Sequence, residues 1–224
     1  MRYRALATDY DGTIARGGRV EEATIEALGR WKRSGRGLIL ATGRALGELK
    51  GVFPALGLFD LVVAENGGLL YRPADGSVRL LAEGPSEELV ETLKRKGVAP
   101  LAVGQVVLAT TENWQGLVKE AIRDVRLDDT LDVILNKGSV MVLPSGVDKW
   151  TGLVEALGEM GLLKEAVVAV GDAENDVTML EGCGLGVAVG NALAMVKARA
   201  GRVTLGERGA GVAELIDGLL GADV

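Results

Sequence analysis

The chain has 224 residues, a formal net charge of −6 and 48% hydrophobic residues, enough for a large domain or for a domain with an inserted module. The acidic balance argues against nucleic acid as a partner, and no apolar run reaches the roughly 18–20 residues of a membrane span. The absence of histidine excludes Ser-His-Asp triads and most zinc sites, and the single cysteine, Cys183, excludes an internal disulfide. Without histidine, any reaction must use carboxylates, hydroxyls, Lys, Arg or a metal. Since the N-terminus lacks a signal-peptide pattern, we expect a soluble cytoplasmic protein.

The two outer parts of the chain, residues 1–78 and 147–224, alternate short apolar runs with helical patterns. The runs predict strands at 3–8, 37–41, 61–64, 166–170 and 185–189, and the patterns predict helices at 21–34, 45–53, 151–157, 176–181 and 212–220. Short, nearly all-apolar strands between helices indicate a parallel sheet that is covered on both faces. The predicted fold is therefore α/β, with a doubly wound, mainly parallel sheet.

The middle of the chain, residues 79–146, has a different pattern. Charged amphipathic helices are predicted at 86–96 and 112–125, strand-like residues at 98–109, and two strands at 131–135 and 139–143 joined by a turn at Asn136-Lys137-Gly138. This order is roughly β-α-β-α-β-β. We predict that residues 79–146 form a smaller α/β domain inserted into a core made of residues 1–78 and 147–224.

The most informative segment follows the first predicted strand, where Asp9 and Asp11 precede Gly12 and Thr13. Two carboxylates this close repel each other unless a proton or a cation lies between them. Such a pair suits a nucleophile with an acid/base partner, assisted by a hard metal ion. The alternative is an Asx-type surface turn closed by Asp-Gly.

Two further signals follow predicted strands or precede helices. Thr42-Gly43-Arg44 offers a hydroxyl and a glycine amide at a strand-to-helix turn, a place where anions bind. Lys149, before the helix at 151–157, could neutralise a phosphate and orient a carboxylate nucleophile. Taken alone, a Thr-Gly turn without a role is common, and a solvated surface lysine is the better interpretation of Lys149.

The fourth signal is the segment from Gly171 to Asp176, which follows an apolar strand. Asp172 and Asp176 are four residues apart in a loop that leads into a helix. Together with Asp9 they suit Mg²⁺, which prefers a few carboxylates with water and phosphate oxygen. The alternative is that Asp172 caps the helix and Asp176 lies in its first turn.

In order and spacing, the series Asp-x-Asp-Gly-Thr, Thr-Gly-Arg, Lys and Gly-Asp-x-x-Asn-Asp resembles the haloacid dehalogenase (HAD) superfamily of phosphatases. The resemblance covers the whole predicted core. The long insert between the Thr and Lys motifs is similar to the cap of the subclass typified by Cof-type sugar phosphatases. Within that subclass, the compact cap and the segment Ala64-Glu65-Asn66-Gly67-Gly68 look most like the archaeal phosphoglycolate phosphatases.

The resemblance implies a catalytic role for each motif. Asp9 would be the nucleophile that forms an aspartyl-phosphate, and Asp11 would protonate the leaving alkoxide and then deprotonate water. Phosphate binding would fall to Thr42, Gly43, Lys149 and Asn175, and Asn175 would touch the phosphate or orient Lys149. Mg²⁺ would take Asp9, the main-chain carbonyl of Asp11, and Asp172, with help from Asp176.

The resemblance also implies a small phosphorylated metabolite as the partner, with 2-phosphoglycolate favoured. Arg44 and Asn66 are expected near the distal part of the substrate, where a cation would bind a carboxylate, although Arg44 could equally be a structural ion-pair partner. Cap residues would choose the substrate, and Lys137 and Ser139 are candidates from its loop. A sugar-phosphate phosphatase, a phosphomutase and a non-catalytic phosphate-binding module remain as alternatives, and the chain is expected to be a monomer or a homodimer.

Overall fold

A computed structural model describes residues 2–222. Its strands are β1 Ala5–Thr8, β2 Ala15–Arg16, β3 Arg19–Val20, β4 Gly37–Ala41, β5 Leu61–Ala64, β6 Leu69–Tyr71, β7 Val78–Leu80, β8 Ala102–Val103, β9 Leu108–Thr111, β10 Leu131–Asn136, β11 Ser139–Pro144, β12 Val167–Gly171, β13 Leu185–Ala188 and β14 Arg202–Val203. Its helices are α1 Glu22–Arg33, α2 Leu46–Val52, α3 Glu87–Arg95, α4 Gln115–Asp124, α5 Lys149–Met160, α6 Val177–Gly182, α7 Ala194–Lys197 and α8 Arg208–Gly221. None of these helices is long and apolar enough to cross a membrane.

The larger sheet has eight strands in the order β14-β13-β12-β1-β4-β5-β6-β7. The six strands from β14 to β5 are parallel, and their apolar side chains are largely buried, whereas β6 and β7 are antiparallel additions at one edge. The chain builds outward from β1 to β4 and β5, and later from β12 to β13 and β14 in the opposite direction. Because such crossovers are right-handed, the connecting helices cover opposite faces. The predicted doubly wound α/β fold is confirmed.

The point where the two directions of chain growth meet lies between β1 and β12, which pair in parallel with Ala5 opposite Val167. A sheet of this type binds ligands at that switch point, outside the carboxyl ends of the strands. The motif that contains Asp9 and Asp11 follows β1, and the motif that contains Asp172 and Asp176 follows β12. The topology therefore brings together two segments that are more than 150 residues apart in the sequence.

The smaller sheet has four antiparallel strands in the order β10-β11-β9-β8, and helices α3 and α4 pack against it. Apolar residues of both helices and of the strands form a separate buried cluster, including Leu89, Leu93, Val118, Ile122 and Val140. Residues 86–144 thus have a hydrophobic core of their own, and we call this unit the cap.

One part of the prediction for the insert was wrong. The expected first strand of the cap, β7, pairs with β6 in the larger sheet, and the order in the insert after it is α-β-β-α-β-β. Strands β6 and β7 form a hairpin at the edge of the larger sheet. Every residue of β7 is exposed, so the sequence has no pattern of buried apolar residues that would assign this strand to the correct sheet. The division into a core of 1–78 and 147–224 and a cap of 79–146 remains a prediction, and the pairing of β7 favours a first boundary after Leu80. Residues 1, 223 and 224 of that predicted core lie outside the described residues.

Candidate active site

A buried cluster of three carboxylates and one lysine lies at the switch point of the larger sheet. Lys149 Nζ donates to Asp9 Oδ1 and to Asp176 Oδ1, each at 2.6 Å. One oxygen from each of Asp9, Asp172 and Asp176 lies within 4.8 Å of the other two. All four side chains are buried, and Lys149 is only 1% exposed. The structure thus brings together residues of three of the motifs recognised in the sequence.

Lys149 is held in the cluster by the start of helix α5. The sequence predicts it just before a helix at 151–157, but the helix begins at Lys149 itself. The cause is a capping box, in which Asp148 accepts from the Thr151 amide at 2.8 Å and Thr151 Oγ1 accepts from the Asp148 amide at 3.0 Å. The reading of Lys149 as a solvated surface lysine is excluded by its burial.

The loop after β12 is organised by Asp176. Its Oδ2 atom accepts hydrogen bonds from the amides of Asp172 and Ala173 at 2.8 and 2.9 Å, while its Oδ1 accepts from Lys149. A Cβ atom on Gly171 would lie 2.5 Å from the Asp176 side chain, so the close turn requires glycine there. Both oxygens of Asp176 are therefore already engaged in fixing the loop and the lysine.

Asp172 has partners from three other segments. Thr13 Oγ1 donates to its Oδ1 at 3.1 Å, and Asn191 Nδ2 lies 3.3 Å from its Oδ2. The ammonium of Lys137, on the turn between β10 and β11 of the cap, pairs with the same Oδ2 atom. The turn at Gly12, with φ of +89°, must be glycine because a Cβ atom there would overlap Asp172.

The electrostatics of the cluster leave it short of positive charge. Burial raises the pKa of Asp9, and the neighbouring Asp176 adds to this effect, while Lys149 opposes it. Burial also raises the pKa of Asp172. Burial alone would lower the pKa of Lys149, but Asp176 and Asp9 outweigh it, so that the pKa is raised and the ammonium is kept. A hard divalent cation bound by these carboxylate oxygens would relieve the repulsion, and the donor set fits Mg²⁺.

Asp11 is bound to Arg44 rather than to the cluster. The guanidinium donates to both oxygens of Asp11, at 2.5 Å from Nε and 2.9 Å from Nη2, and it also pairs with Glu48. It lies over the ring of Tyr10, 5.5 Å from the ring centroid. The hydrogen bond with Asp11 raises the pKa of Arg44. The alternative reading of Arg44 as an ion-pair partner is thus present in the structure.

Thr42 and Gly43 form the turn that follows β4. Thr42 is 1% exposed, and its Oγ1 accepts from the Arg44 amide at 3.1 Å, which leaves its O–H free to donate. Gly43 faces the cap, and a Cβ atom there would lie 3.2 Å from Cε of Met141. Both residues line a cavity between the core and the cap.

Asn66 and Asn175 form a buried amide pair, with Asn175 Nδ2 donating to Asn66 Oδ1 at 2.8 Å. Asn66 Nδ2 and Asn175 Oδ1 are buried without a partner. The hydrogen bonds of Lys149 go to Asp9 and Asp176, so the expected orientation of Lys149 by Asn175 has no contact to support it. Asn66, expected at the distal part of the substrate, is fully buried and contacts Asn175, which lines the cavity.

A cavity of about 320 Å³ opens between the core and the cap above Asp9. Its core side includes Asp11, Thr42, Arg44 and Asn175. Its cap side is formed by Ala102, Gly104, Val107, Ala109, Asn136, Lys137, Ser139 and Met141. A cavity of this size accommodates a small molecule. Both loop candidates from the sequence, Lys137 and Ser139, lie on it.

Sequence reasoning missed one residue of the site and undervalued another. Asn191 donates from Nδ2 to the Gly12 carbonyl at 2.9 Å and accepts at Oδ1 from the Arg208 amide at 2.7 Å, which ties the Asp9 loop to helix α8. The sequence signal for Asn191 is its position shortly after β13, at the sheet edge where the other motifs lie. Lys137 carries no local signal, because only the packing of the cap directs it towards Asp172.

Comparison with known proteins identifies the family. A model of the haloacid dehalogenase-like hydrolases matches residues 6–123 and 105–216, which together span most of the chain. The chain belongs to the haloacid dehalogenase-like hydrolase family. Together with archaeal relatives that are named phosphatases, this membership confirms the superfamily predicted from the order of the motifs and shows that the chain is a phosphatase.

Similar proteins match this phosphatase along nearly its whole length. A phosphoglycolate phosphatase of Methanoculleus marisnigri is 34% identical over 200 residues, covering 84% of this chain and 85% of that protein. One of Methanothermobacter thermautotrophicus is 32% identical, with 97% and 99% covered. A haloacid dehalogenase-like hydrolase from Bacteroides thetaiotaomicron superposes with a TM-score of 0.83 at 22% identity, covering 97% of this chain and 99% of that one, which shows a shared fold.

Proposed function

We propose that this phosphatase is a Mg²⁺-dependent phosphomonoester hydrolase that acts through an aspartyl-phosphate on Asp9, and that its substrate is 2-phosphoglycolate. The observation that carries the proposal is the buried contact of Lys149 with Asp176 and with Asp9, which lines the cavity. This contact supports the proposal because the carboxylate that we propose as the nucleophile lies next to a buried cation, at the sheet edge where this fold binds ligands.

Asp9 supplies the attacking oxygen in this proposal. Lys149 binds Oδ1, and we propose that Oδ2 is the oxygen that attacks phosphorus. A carboxylate attacks a phosphate dianion slowly unless the charge of the phosphoryl group is balanced. We propose that Lys149, the Thr42 hydroxyl, the side chain of Asn175 and the main-chain amides of Asp11 and Gly43 balance it, whereas the Gly12 amide already donates to the Ala15 carbonyl. The unpartnered Oδ1 of Asn175 and Nδ2 of Asn66 are consistent with a ligand or water in this region.

Asp11 serves as the acid and base for the leaving group and the attacking water. It lies on the cavity with its side chain 46% exposed, whereas Asp9 is buried, so the two aspartates are suited to different roles. Arg44 holds both oxygens of Asp11 and must release one of them before Asp11 can donate a proton. The carboxylate of phosphoglycolate would compete with Asp11 for Arg44, which would couple substrate binding to that release.

Asp9, Asp172 and the main-chain carbonyl of Asp11 would hold the Mg²⁺, with Asp176 fixing the loop and Lys149 beside them. When bound, such an ion neutralises phosphoryl charge as a Lewis acid. Lys137 now pairs with Asp172, and a cation on that carboxylate would free its ammonium for the substrate. Since this lysine comes from the cap, its release would present a positive charge to the distal end of the substrate.

The choice of phosphoglycolate draws support from two independent sources. Curated relatives at about 30% identity over nearly the whole chain are named phosphoglycolate phosphatases. Within the described part of the chain, the cavity is small and carries two cations, Arg44 and Lys137, at positions away from Lys149. A substrate with a carboxylate close to its phosphate would satisfy both ends.

The test is a screen of small phosphate esters with Mg²⁺ that compares kcat/KM for phosphoglycolate with that for hexose and pentose phosphates. We expect phosphoglycolate to exceed the sugar phosphates by about 100-fold, the equivalent of one well-placed ion pair. A preference for a sugar phosphate would contradict the proposed substrate but would agree with the proposed phosphatase chemistry. Formation of an isomer without phosphate release would instead indicate a mutase.

A further inference from the structure

Glu65, directly after β5, is a buried carboxylate outside the catalytic cluster. It is 1% exposed, and it has φ of +52°, a conformation that residues other than glycine rarely adopt. Asn66 and Gly67 after it also have positive φ, so the chain makes a tight left-handed turn at this place. Strain of this kind persists where surrounding contacts impose it, and it is common at functional sites.

The turn is anchored to the phosphate motif of the core. The Glu65 amide donates to the Arg44 carbonyl at 3.1 Å, and the Asn66 amide donates to the Thr42 carbonyl at 2.9 Å. Through its side chain, Asn66 also contacts Asn175. The backbone of Glu65 is therefore fixed relative to the residues that face the substrate phosphate.

The side chain of Glu65 points the other way, into the cap. Its Oε2 atom accepts from the amides of Val106 and Val107, at 2.7 and 3.1 Å. These amides belong to the turn between β8 and β9. Among the described residues, no Lys or Arg pairs with Glu65, so the two amides are the partners of its charge. Hydrogen bonds to an ionised acceptor are about twice as strong as neutral ones.

The surfaces around this contact fit without spare room. A Cβ atom on Gly104 would lie 2.5 Å from Glu65 Oε2, and one on Gly68 would lie 2.6 Å from Cβ of Val106. Val106 is 1% exposed and belongs to a buried cluster with Met141 and Leu143 of the cap. Gly104, Val107 and Met141 are also residues of the cavity wall. The contact thus links the turn at Glu65 to one wall of the substrate cavity.

From these contacts we infer that Glu65 is a positioning residue that holds the cap wall of the cavity against the phosphate-binding turn of the core. The role rests on the proposed function, because the wall matters only if substrate binds in this cavity. Without the carboxylate, the amides of Val106 and Val107 lose their acceptor and the turn at 104–107 loses its fixed distance from Arg44. Substrate binding is then affected more than the chemical step at Asp9, since Glu65 contacts no reacting group.

The first test measures the contact without any activity assay, by amide hydrogen exchange of Val106 and Val107. In Glu65→Ala we expect both amides to exchange at least about tenfold faster than in the wild type, because each loses a charge-assisted hydrogen bond. Glu65→Gln keeps a side-chain oxygen acceptor and should stay within about threefold of the wild type. Unchanged exchange in Glu65→Ala would overturn the inference.

The second test measures phosphate release, with phosphoglycolate or with the best ester from the screen. We expect Glu65→Ala to raise KM about tenfold while kcat changes less than about threefold, and Glu65→Gln to restore KM. Faster exchange with an unchanged KM would overturn the positioning role even though the contact exists. A wild type that hydrolyses no ester would refute the proposed function, and the exchange result would still report on the contact.

A variant on the cap side covers the case in which Glu65→Ala fails to fold. Gly104→Ala places a Cβ atom against Glu65 Oε2 and should give the same faster exchange and higher KM. Gly116→Ala is the matched control, because a Cβ atom on this cap residue meets no atom within 4 Å. If Gly104→Ala behaves like Gly116→Ala, the contact with Glu65 does not position the wall.

Discussion

The two walls of the cavity differ in how their residues are held. On the core side, Asp9 lines the cavity and belongs to a buried cluster of ionisable side chains, in which Lys149 donates to Asp9 and Asp176 and the Asp172 amide donates to Asp176. On the cap side, the described lining residues are small or apolar apart from Asn136, Ser139 and Lys137, of which only Lys137 is charged. The core wall is suited to stabilise charge at phosphorus, and the cap wall is suited to select by shape and by one cation.

This difference suggests that bond cleavage and substrate choice are divided between the two walls. Substitutions in the core wall should lower kcat for every phosphate ester, because they remove interactions made in the transition state. Substitutions in the cap wall should mainly raise KM, and should do so for particular substrates. The following predictions test that division, beginning with the largest expected effect.

The largest effect is expected for Asp9→Asn, which removes the proposed nucleophile from the core wall. Turnover should fall by about 10⁴-fold or more for every ester, as is usual when a nucleophile is lost. The amide is nearly isosteric, and it removes one of several crowded negative charges, so the metal-free melting temperature should not fall. Phosphate release and thermal melting measure the two outcomes. Asp217→Asn, in an exposed ion pair with Arg30 on the protein surface, is the control.

The second effect concerns the divalent cation that we propose for the core wall. Exhaustive treatment with EDTA should lower phosphate release by about 10³-fold or more, and added Mg²⁺ should restore it, since a Lewis acid contributes several kcal/mol at phosphorus. Asp172→Asn should raise the Mg²⁺ concentration needed for half-maximal activity by about tenfold or more. Full activity after chelation, with metal content verified by elemental analysis, would show that the cluster works without a cation.

The third effect belongs to the cap wall. Lys137→Ala should raise KM for phosphoglycolate by about 10- to 30-fold, because the substrate carboxylate would lose one partly buried ion pair. Hydrolysis of 2-hydroxyethyl phosphate, which replaces the carboxylate with a hydroxymethyl group, should change less than about threefold. Lys119→Ala, on the exposed side of helix α4, is the matched control. An equal loss for both esters would place Lys137 in the chemistry instead of in substrate choice.

The smallest effect concerns an ionisable group outside both walls. Burial raises the pKa of Cys183 to about 12, so its thiol stays neutral at pH 8. Because the thiolate is the nucleophile, we expect the folded protein to react with a thiol reagent at least about 100-fold slower than free cysteine does. Labelling should become rapid in denaturant. Loss of phosphatase activity on labelling the native protein would contradict the position of Cys183 outside both walls of the cavity.

Much of the core could be predicted from the sequence because its signals are local. The strands β1, β4, β5, β12 and β13 are short apolar runs, and the polar motifs follow directly after them. Parallel strands place such ends along one edge, so the proximity of Asp9, Thr42 and Asp172 followed from topology.

The cap side could be predicted less well because its contacts are not local. Lys137 reaches Asp172 across 35 residues, and Glu65 reaches Val106 across 41. Neither pairing has a periodic pattern or a spacing that a sequence displays. The prediction that β7 belongs to the cap is wrong for a related reason. This strand is exposed, and its hydrogen bonds to β6, which the sequence does not reveal, join it to the larger sheet.

The central claim is that Asp9 carries the phosphoryl group during turnover. The most direct measurement is acid quenching of the enzyme during turnover of ³²P-labelled substrate, followed by mass spectrometric location of the label. The account predicts a transient covalent label on the peptide that contains Asp9, formed as fast as phosphate is released and absent in Asp9→Asn. Steady phosphate release with no label on the protein, or continued turnover by Asp9→Asn, would contradict it.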